Sequence, residues 1–282
     1  MTTSPINVRE MAKITICLTV VCILAGLILG AVFAVTEPTR LMRAQVGEQQ
    51  LVRRILELPA NAEIMEIRRF LSEGPDPQIA YTLQSEVRIY DVEGKLVSAT
   101  PISERATAEQ ILETRLPHAR RGGRFFVAKI KDGSIAGYVT ESEQYGFKSF
   151  IRFFVALTPD FQVRGVEVVA HEEDPGLGAE ITRPLFKNQF SGRSQASLEQ
   201  LKVVKGPLPK AMEDLYLSRE NTMFHDWLQT NAHVLKDARQ GPIYGVTGAT
   251  ISSQALADGV KKAVHHLGTR LTIIGLTGGS HE

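Results

Sequence analysis

The stretch Arg124-Phe125-Phe126-Val127-Ala128-Lys129-Ile130-Lys131-Asp132-Gly133-Ser134-Ile135-Ala136-Gly137-Tyr138-Val139 decides the fold. Two apolar, β-favouring runs flank Asp132-Gly133, a pair that readily supplies the positive φ angles of a tight hairpin turn. The same strand–turn–strand pattern occurs twice more. Val87 to Tyr90 runs through Glu93-Gly94 to Lys95-Leu96-Val97, and Phe150 to Leu157 runs through Thr158-Pro159-Asp160 to Val163 to Val169. Three hairpins interleaved with helical patterns predict an α+β domain of antiparallel sheet packed with helices. A helix is expected over 105–116 and one or two more over 209–239, where Met212, Leu215, Trp227, Leu228 and Val234 recur at helical intervals. Ile251, Ala255, Leu256, Val260, Ala263, Val264 and Leu267 form an apolar stripe on a further helix, with Gly268 as its C-terminal cap. Residues 60–84 read as mixed, with a loop at Glu73-Gly74-Pro75-Asp76-Pro77.

Upstream, Ile14 to Val35 carry no charge over 22 positions. As a helix they reach about 33 Å, enough for the hydrocarbon core of a bilayer. The run is longer than the core of a cleaved signal peptide, although Val32-Phe33-Ala34 loosely suits a cleavage site. The expected organisation is an N-terminal segment 1–13, a transmembrane helix 14–35, and a juxtamembrane helix with the start of the soluble region over 36–124. The main domain follows at 125–268 and a flexible tail at 269–282. Pro38 is expected to break or kink the helix at the interface, and the juxtamembrane helix to stop at Pro59. Gly26 and Gly30 form a small-residue pair that lets another helix approach. Counted alone, Arg40, Arg43, Arg53 and Arg54 against Arg9 and Lys13 lean toward a cytoplasmic C-terminal domain.

The whole chain of 282 residues has 32 Lys plus Arg against 31 Asp plus Glu, a net charge of +1. That balance argues against an electrostatically driven nucleic-acid binder. Its two cysteines, Cys17 and Cys22, lie inside the apolar run, so no disulfide framework holds the domain.

Two stretches are too rich in small residues for ordinary core. His171-Glu172-Glu173-Asp174-Pro175-Gly176-Leu177-Gly178 follows a strand and forms a tight loop that lets backbone approach a flat ligand. Its acidic run also reads as a solvated surface, and the absence of a second histidine at ligand spacing speaks against a metal site. Tyr244-Gly245-Val246-Thr247-Gly248-Ala249-Thr250 precedes the last amphipathic helix. Free N–H groups and the positive dipole end make a helix start a phosphate site; alternatively Thr247 or Thr250 caps the helix. It is not a P-loop, since GxxxxGK[ST] is absent. No nucleophile–histidine constellation stands out, so no catalytic residue is assigned.

Thr247-Gly248-Ala249-Thr250-Ile251-Ser252-Ser253 resembles the [S/T]-G-A-[T/S] flavinylation motif of an FMN-binding domain. That domain is shared by the G-type subunit of the Rnf ion-translocating electron transport complex and the C-type subunit of the Na+-translocating NADH:quinone reductase. Glu173 to Gly178 resembles that family's E-T-P-G-L-G, with Asp174 at the Thr. Phe186, Gln189, Phe190 and Gly192 resemble its F-x-x-Q-F-x-G, and Gly137-Tyr138 and Tyr145-Gly146 its glycine–aromatic turns. Leu56-Glu57-Leu58-Pro59 and the form of the TGATISS segment lean toward the Rnf member of the pair. The length before residue 125 leans toward the quinone reductase member.

The resemblance implies a membrane-anchored subunit of a redox-driven ion translocase. It would relay electrons through FMN attached to Thr250 by a phosphoester, and would not be catalytic alone. Thr247, Gly248, Ala249, Glu173, Asp174, Gly176, Leu177 and Gly178 would line the flavin. Lys205 resembles a lysine near the flavin that favours its reduced, anionic form. The implied partners are the other complex subunits, a flavin transferase and the lipid bilayer. The implied location is the bacterial inner membrane with the flavin domain in the periplasm, against the charge count above. One departure stands out: the family's Asp three residues before the motif is here Tyr244. Readings of another class are a cofactor-free membrane adaptor and a stand-alone flavoprotein reductase.

Overall fold

The computed structural model describes residues 8–103, 106–218 and 232–277. The chain divides into two compact units, Met1–Leu51 and Val52–Glu282. Helix α1 (Val8–Leu56) supplies most of the first unit. Within it Met11–Gly30 is long and apolar enough to cross a membrane, and none of it is buried in protein. Cys17 and Cys22 are exposed free thiols there. The hydroxyls of Thr15 and Thr19 bond back to the carbonyls of Met11 and Thr15 at 2.9 and 2.8 Å, which satisfies them in an apolar setting. Of the two outcomes expected at Pro38, a break is not the one adopted: α1 continues through it. An internal proline forfeits one backbone hydrogen bond and crowds one carbonyl, a local cost that does not oblige the helix to stop.

In the second unit, the last turn of α1 buries Val52 and Leu56. There Arg53 hydrogen-bonds the carbonyls of Pro59, Ala60 and Ala62, which satisfies the chain as it leaves the helix. The sheet has eight strands: β1 (Glu63–Leu71), β2 (Gln78–Thr82), β3 (Glu86–Asp91), β4 (Leu96–Pro101), β5 (Arg120–Lys129), β6 (Ile135–Tyr145), β7 (Phe150–Leu157) and β8 (Val163–Ala170). Their order is β4-β3-β2-β1-β5-β6-β7-β8, antiparallel throughout. All three hairpins read from the sequence are present. The deciding stretch pairs Phe125 with Thr140 and Val127 with Tyr138, and Gly133 takes φ 85° in its turn. Strands β1 and β2 occupy residues that read as mixed. Helix α2 (Ala108–Arg115) packs Ile111 and Leu112 on the sheet and begins with a capping box between Thr107 and Gln110.

After β8 the chain makes short pieces: a 3₁₀ turn at Gly178–Thr182, α3 (Pro184–Lys187), α4 (Gln195–Glu199), β9 (Val203–Val204), α5 (Lys210–Ser218), α6 (Ala232–Gln240) and β10 (Ile243–Tyr244). Met212, Leu215 and Val234 pack together between α5 and α6, while the expected helical positions Trp227 and Leu228 lie outside the described residues. Strand β10 pairs in parallel with β9 and delivers the chain to α7 (Thr250–Ile274).

Helix α7 lies across the sheet. Leu256, Val260, Val264, Leu267 and Leu271 join Phe125, Val127, Tyr138, Phe153 and Val155 in one core. Each fully buried side chain of this kind contributes about 1.5–3 kcal/mol. Gly259 allows the closest approach, since a Cβ there would lie 2.7 Å from the Phe153 ring. Gly268 is not the cap: the stripe continues through Leu271 and Ile274, and Gly275 ends the helix at φ 69°. Residues 269–274 are therefore helical, and 278–282 of the expected tail lie outside the described residues.

Candidate functional site

The two small-residue stretches meet, although 65 residues separate Gly178 from Tyr244. Phe147, Glu173, Asp174, Leu177, Gly178, Gly248, Ala249, Thr250, Ile251 and Ser252 line a cleft of about 370 Å³. That volume lies within the range of small-ligand sites. Of the residues proposed from sequence, Glu173, Asp174, Leu177, Gly178, Gly248, Ala249 and Thr250 are brought together. Gly176 and Thr247 are exposed neighbours in the same two loops and do not line the cleft. Lys205 follows β9, is exposed and does not line it either.

The floor is the start of α7. Its N-cap is Ala249, and no side chain caps it. The alternative in which Thr247 or Thr250 caps the helix is therefore not the one adopted. The first turn presents N–H groups to the cleft with the positive end of the helix dipole behind them. The half-buried Thr250 hydroxyl opens on the same space with no hydrogen-bond partner among the described residues. Gly248 takes φ 78°, and a Cβ there would sit 2.9 Å from Leu177 Cδ2, so Leu177 closes directly over this turn. Leu177, Phe147 and Ile251 are 46%, 59% and 57% exposed. Together they give the mouth an apolar rim suited to a flat aromatic ligand.

Glu173 lines the cleft and holds its walls together. It is buried, and its carboxylate accepts from the backbone N–H groups of Phe147, Lys148 and Ser149 at 3.3, 3.0 and 3.3 Å. It also accepts from the hydroxyl of Ser252. Burial alone would raise its pKa, but the Ser252 hydroxyl and the three N–H donors together hold it below the usual carboxylate range. One carboxylate thus ties the β6–β7 turn, the glycine loop and the first turn of α7. Lys148 pairs with Asp174 at 2.8 Å on the surface beside it. Sequence reasoning assigns Glu173 to the flavin and misses Ser252, which carries no local signal because its partner lies 79 residues away.

The F-x-x-Q-F-x-G stretch sets the approach to the motif. The Gln189 side chain accepts from the backbone N–H of Tyr244 at 2.8 Å and donates to its carbonyl at 3.0 Å. The backbone at the departing position is thereby fixed whatever its side chain. Arg193, fully buried, donates to the carbonyls of Gln189, Ala238 and Gly241 at 2.8, 2.8 and 2.7 Å, and so closes the C-terminal end of α6 just before β10. Burial pushes its pKa down from the ordinary arginine value. Among the described residues no cluster of His, Cys, Asp and Glu is placed to hold a metal.

The sequence that builds this cleft has relatives. The G-type subunit of the proton-translocating ferredoxin:NAD(+) oxidoreductase complex of Clostridium ljungdahlii is 30% identical over 148 residues, covering 52% of this chain and 62% of that protein. The G-type subunit of the ion-translocating oxidoreductase complex of Methanosarcina acetivorans is 31% identical over 136 residues, 48% of this chain and 53% of that protein. The C-type subunit of the Na(+)-translocating NADH-quinone reductase of Yersinia pestis is 24% identical over 223 residues, 73% of this chain and 80% of that protein. The chain thus spans 62% and 53% of the length of the first two relatives. The segment that carries the cleft, residues 146–265, matches the FMN-binding domain family.

Proposed function

We propose that this chain is the membrane-anchored flavin subunit of a redox-driven ion-translocating complex of the Rnf type, with FMN held covalently by Thr250. The observation that carries the reading is the Thr250 hydroxyl, unpartnered among the described residues, at the uncapped start of α7 inside a cleft of the segment that matches the FMN-binding domain. The residues fit the group. The free N–H groups of α7 receive a phosphate, Thr250 Oγ1 loses its proton as it forms the bond to phosphorus, and the apolar rim covers a flat ring. A separate flavin transferase supplies the activated flavin nucleotide whose leaving group departs from that phosphorus. When bound, FMN supplies one-electron and two-electron redox chemistry. The chain's own part is to hold it immobile, with one face toward the exposed mouth where the cofactor of a neighbouring protein in the complex can approach. The helix over Met11–Gly30 anchors the domain, and we place the flavin on the periplasmic side of a bacterial inner membrane. Lys205 remains a candidate for acting on the flavin only if the loop after β9 moves toward the cleft.

The test is in-gel flavin fluorescence after denaturing electrophoresis, with wild type and Thr250→Val each co-expressed with a flavin transferase. A fluorescent wild-type band that Thr250→Val loses is expected. A dark wild-type band returns the chain to a cofactor-free adaptor, and a fluorescent Thr250→Val band moves the attachment elsewhere. The longer alignment with the NADH-quinone reductase relative favours a second assignment to that complex. The enzyme that co-purifies with the chain, ferredoxin-linked or NADH–quinone-linked, decides between them. A topology reporter fused after Gly275 tests the side of the membrane.

A further inference from the structure

We propose that the fork between β5 and β6 is a second binding site, for a small polyanion of the phosphate or polyphosphate class, held by Arg121, Arg152 and Arg270. The two strands pair from Phe125–Thr140 onward through their hairpin. On the other side of that pair they separate: Arg120, Arg121 and Arg124 pair with β1, while Glu141 to Tyr145 pair with β7. A cavity of about 580 Å³ opens in the fork, floored by Ala263, His266 and Arg270 of α7. Its size is that of a small-molecule site. It shares no lining residue with the flavin cleft. His266 lies roughly 24 Å along α7 from Thr250 at ~1.5 Å per residue.

The charge in this cavity is unbalanced. Arg124 is matched, pairing with Glu141 at 2.6 Å and Glu66 at 3.7 Å. Glu66 is further engaged by Arg68 at 2.8 Å, and Glu143 stands opposite Arg152 in the β6–β7 register. Arg121, Arg152 and Arg270 make no ion pair among the described residues. Arg69 stands behind the wall, its Nε donating to the carbonyl of Gly122 at 3.0 Å. Burial first, and then the charge of Arg69, push the Arg270 guanidinium down to about 10, with only the Tyr81 hydroxyl acting in the opposite sense. Burial followed by Arg270, His265, Arg69 and Lys262 likewise holds His266 below its ordinary value. Of the three, Arg270 is half-buried while Arg121 and Arg152 are exposed at the rim, and like charges gathered at one cavity repel. An anion in the fork reverses that repulsion, and planar guanidinium forks match phosphate oxygens in pairs. The concavity, walled by two strands and a helix of one domain, suits a free small anion better than a surface of another protein.

The probe is inorganic pyrophosphate, titrated calorimetrically at low ionic strength into the full chain in detergent. Saturable binding is expected, weakened at least about tenfold in Arg270→Gln and in Arg121→Gln, as loss of a charge-assisted pair implies, and unchanged in Lys131→Gln. Thermal melting gives a second reading that does not depend on a perfectly folded variant. Without pyrophosphate Arg270→Gln should melt at or above wild type, because a repelling charge is gone, and it should lose the rise that pyrophosphate gives wild type. Binding that persists unweakened in Arg270→Gln overturns the proposal. So does a wild-type rise reproduced by sodium chloride at equal ionic strength. Binding of polyglutamate without pyrophosphate also overturns it and makes the fork a protein-docking surface. None of these readings depends on flavin attachment, so the outcome stands apart from that at Thr250.

Discussion

The hydroxyl of Ser252, in the first turn of α7, donates a hydrogen bond to the buried carboxylate of Glu173, 79 residues earlier in the chain. The same carboxylate receives three N–H donors from the β6–β7 turn. The cleft is thus assembled around an internal anion that faces its own scaffold and leaves the helix N–H groups open. Two glycines make room for it. A Cβ at Gly146 would lie 2.5 Å from Glu173 Oε1, and one at Gly178 would lie 2.7 Å from Oε2.

Removing this anion should open the cleft before it unfolds the sheet. Glu173→Ala leaves three N–H groups and a hydroxyl without their acceptor, at a cost of about 2–4 kcal/mol for lost charge-assisted hydrogen bonds. Glu173→Gln keeps one carbonyl acceptor and should cost less. Thermal melting of the two variants ranks them. Equal melting temperatures for Glu173→Ala and wild type would show that the clamp does not contribute.

The same group sets an acid limit. Its folded pKa lies below the ordinary carboxylate value. The stabilisation it contributes is therefore fully present above an unfolded pKa of about 4.3, and is lost as pH falls through the lower folded value. Melting temperature followed from pH 7 downward should drop in wild type below that point. In Glu173→Gln the drop should be shallower, since that variant has no proton to take up at this site. Parallel curves would assign the acid sensitivity to other carboxylates.

Much of this architecture is legible in the sequence where local chemistry decides the conformation. Asp132-Gly133 sets a hairpin because its glycine takes φ 85°, and the stripe from Ile251 to Leu267 can only be one face of a helix. The motif residues Thr247 to Thr250 are recognised by their small size, and that size is what uncovers the helix start. What stays hidden depends on distant partners. Strand β1 buries little beyond Ile67 and carries Glu66 and Arg68 on one side. Its alternation reflects ion pairing with Arg124 of β5 rather than apolar burial, so hydrophobic periodicity passes it over. Gly268 looks like a cap until Leu271 and Ile274 are seen to be buried. The role of Glu173 follows from donors 24 to 26 and 79 residues away.

Gly248 should tolerate no side chain. Its φ of 78° strains any L-residue, and a Cβ would press on Leu177 Cδ2 at 2.9 Å. Gly248→Ala should cost about 1–2 kcal/mol for the left-handed backbone. It should also displace Leu177 from the mouth of the cleft. The expected result is a modest fall in melting temperature with a larger fall in flavin incorporation, read as fluorescence per mole of protein. A loss of incorporation no greater than that of Leu177→Ala would show that the backbone conformation itself is not required.

Arg193 offers the sharpest test of how the cleft is positioned from behind. Its guanidinium is fully buried and surrounded by carbonyl oxygens, with Gln189, Ala238 and Gly241 within 2.8 Å and Arg239 and Pro242 at 3.3 Å. These oxygens include the end of α6, where a positive charge also answers the helix dipole. Arg193→Met keeps much of the volume but leaves the carbonyls unpaired, so it should destabilise by about 3–5 kcal/mol, as a broken buried charged network does. Arg193→Lys keeps the charge but has three donors on one nitrogen, and cannot span carbonyls that a planar fork reaches in two directions. It should therefore fall between Met and wild type. Because the network fixes Gln189 and the chain entering β10, both variants should also lower flavin attachment at Thr250, in the same order as their stabilities. Denaturant melts run beside the fluorescence gel measure both quantities on the same preparations. Full attachment in Arg193→Met despite its loss of stability would separate the positioning of Thr250 from this network.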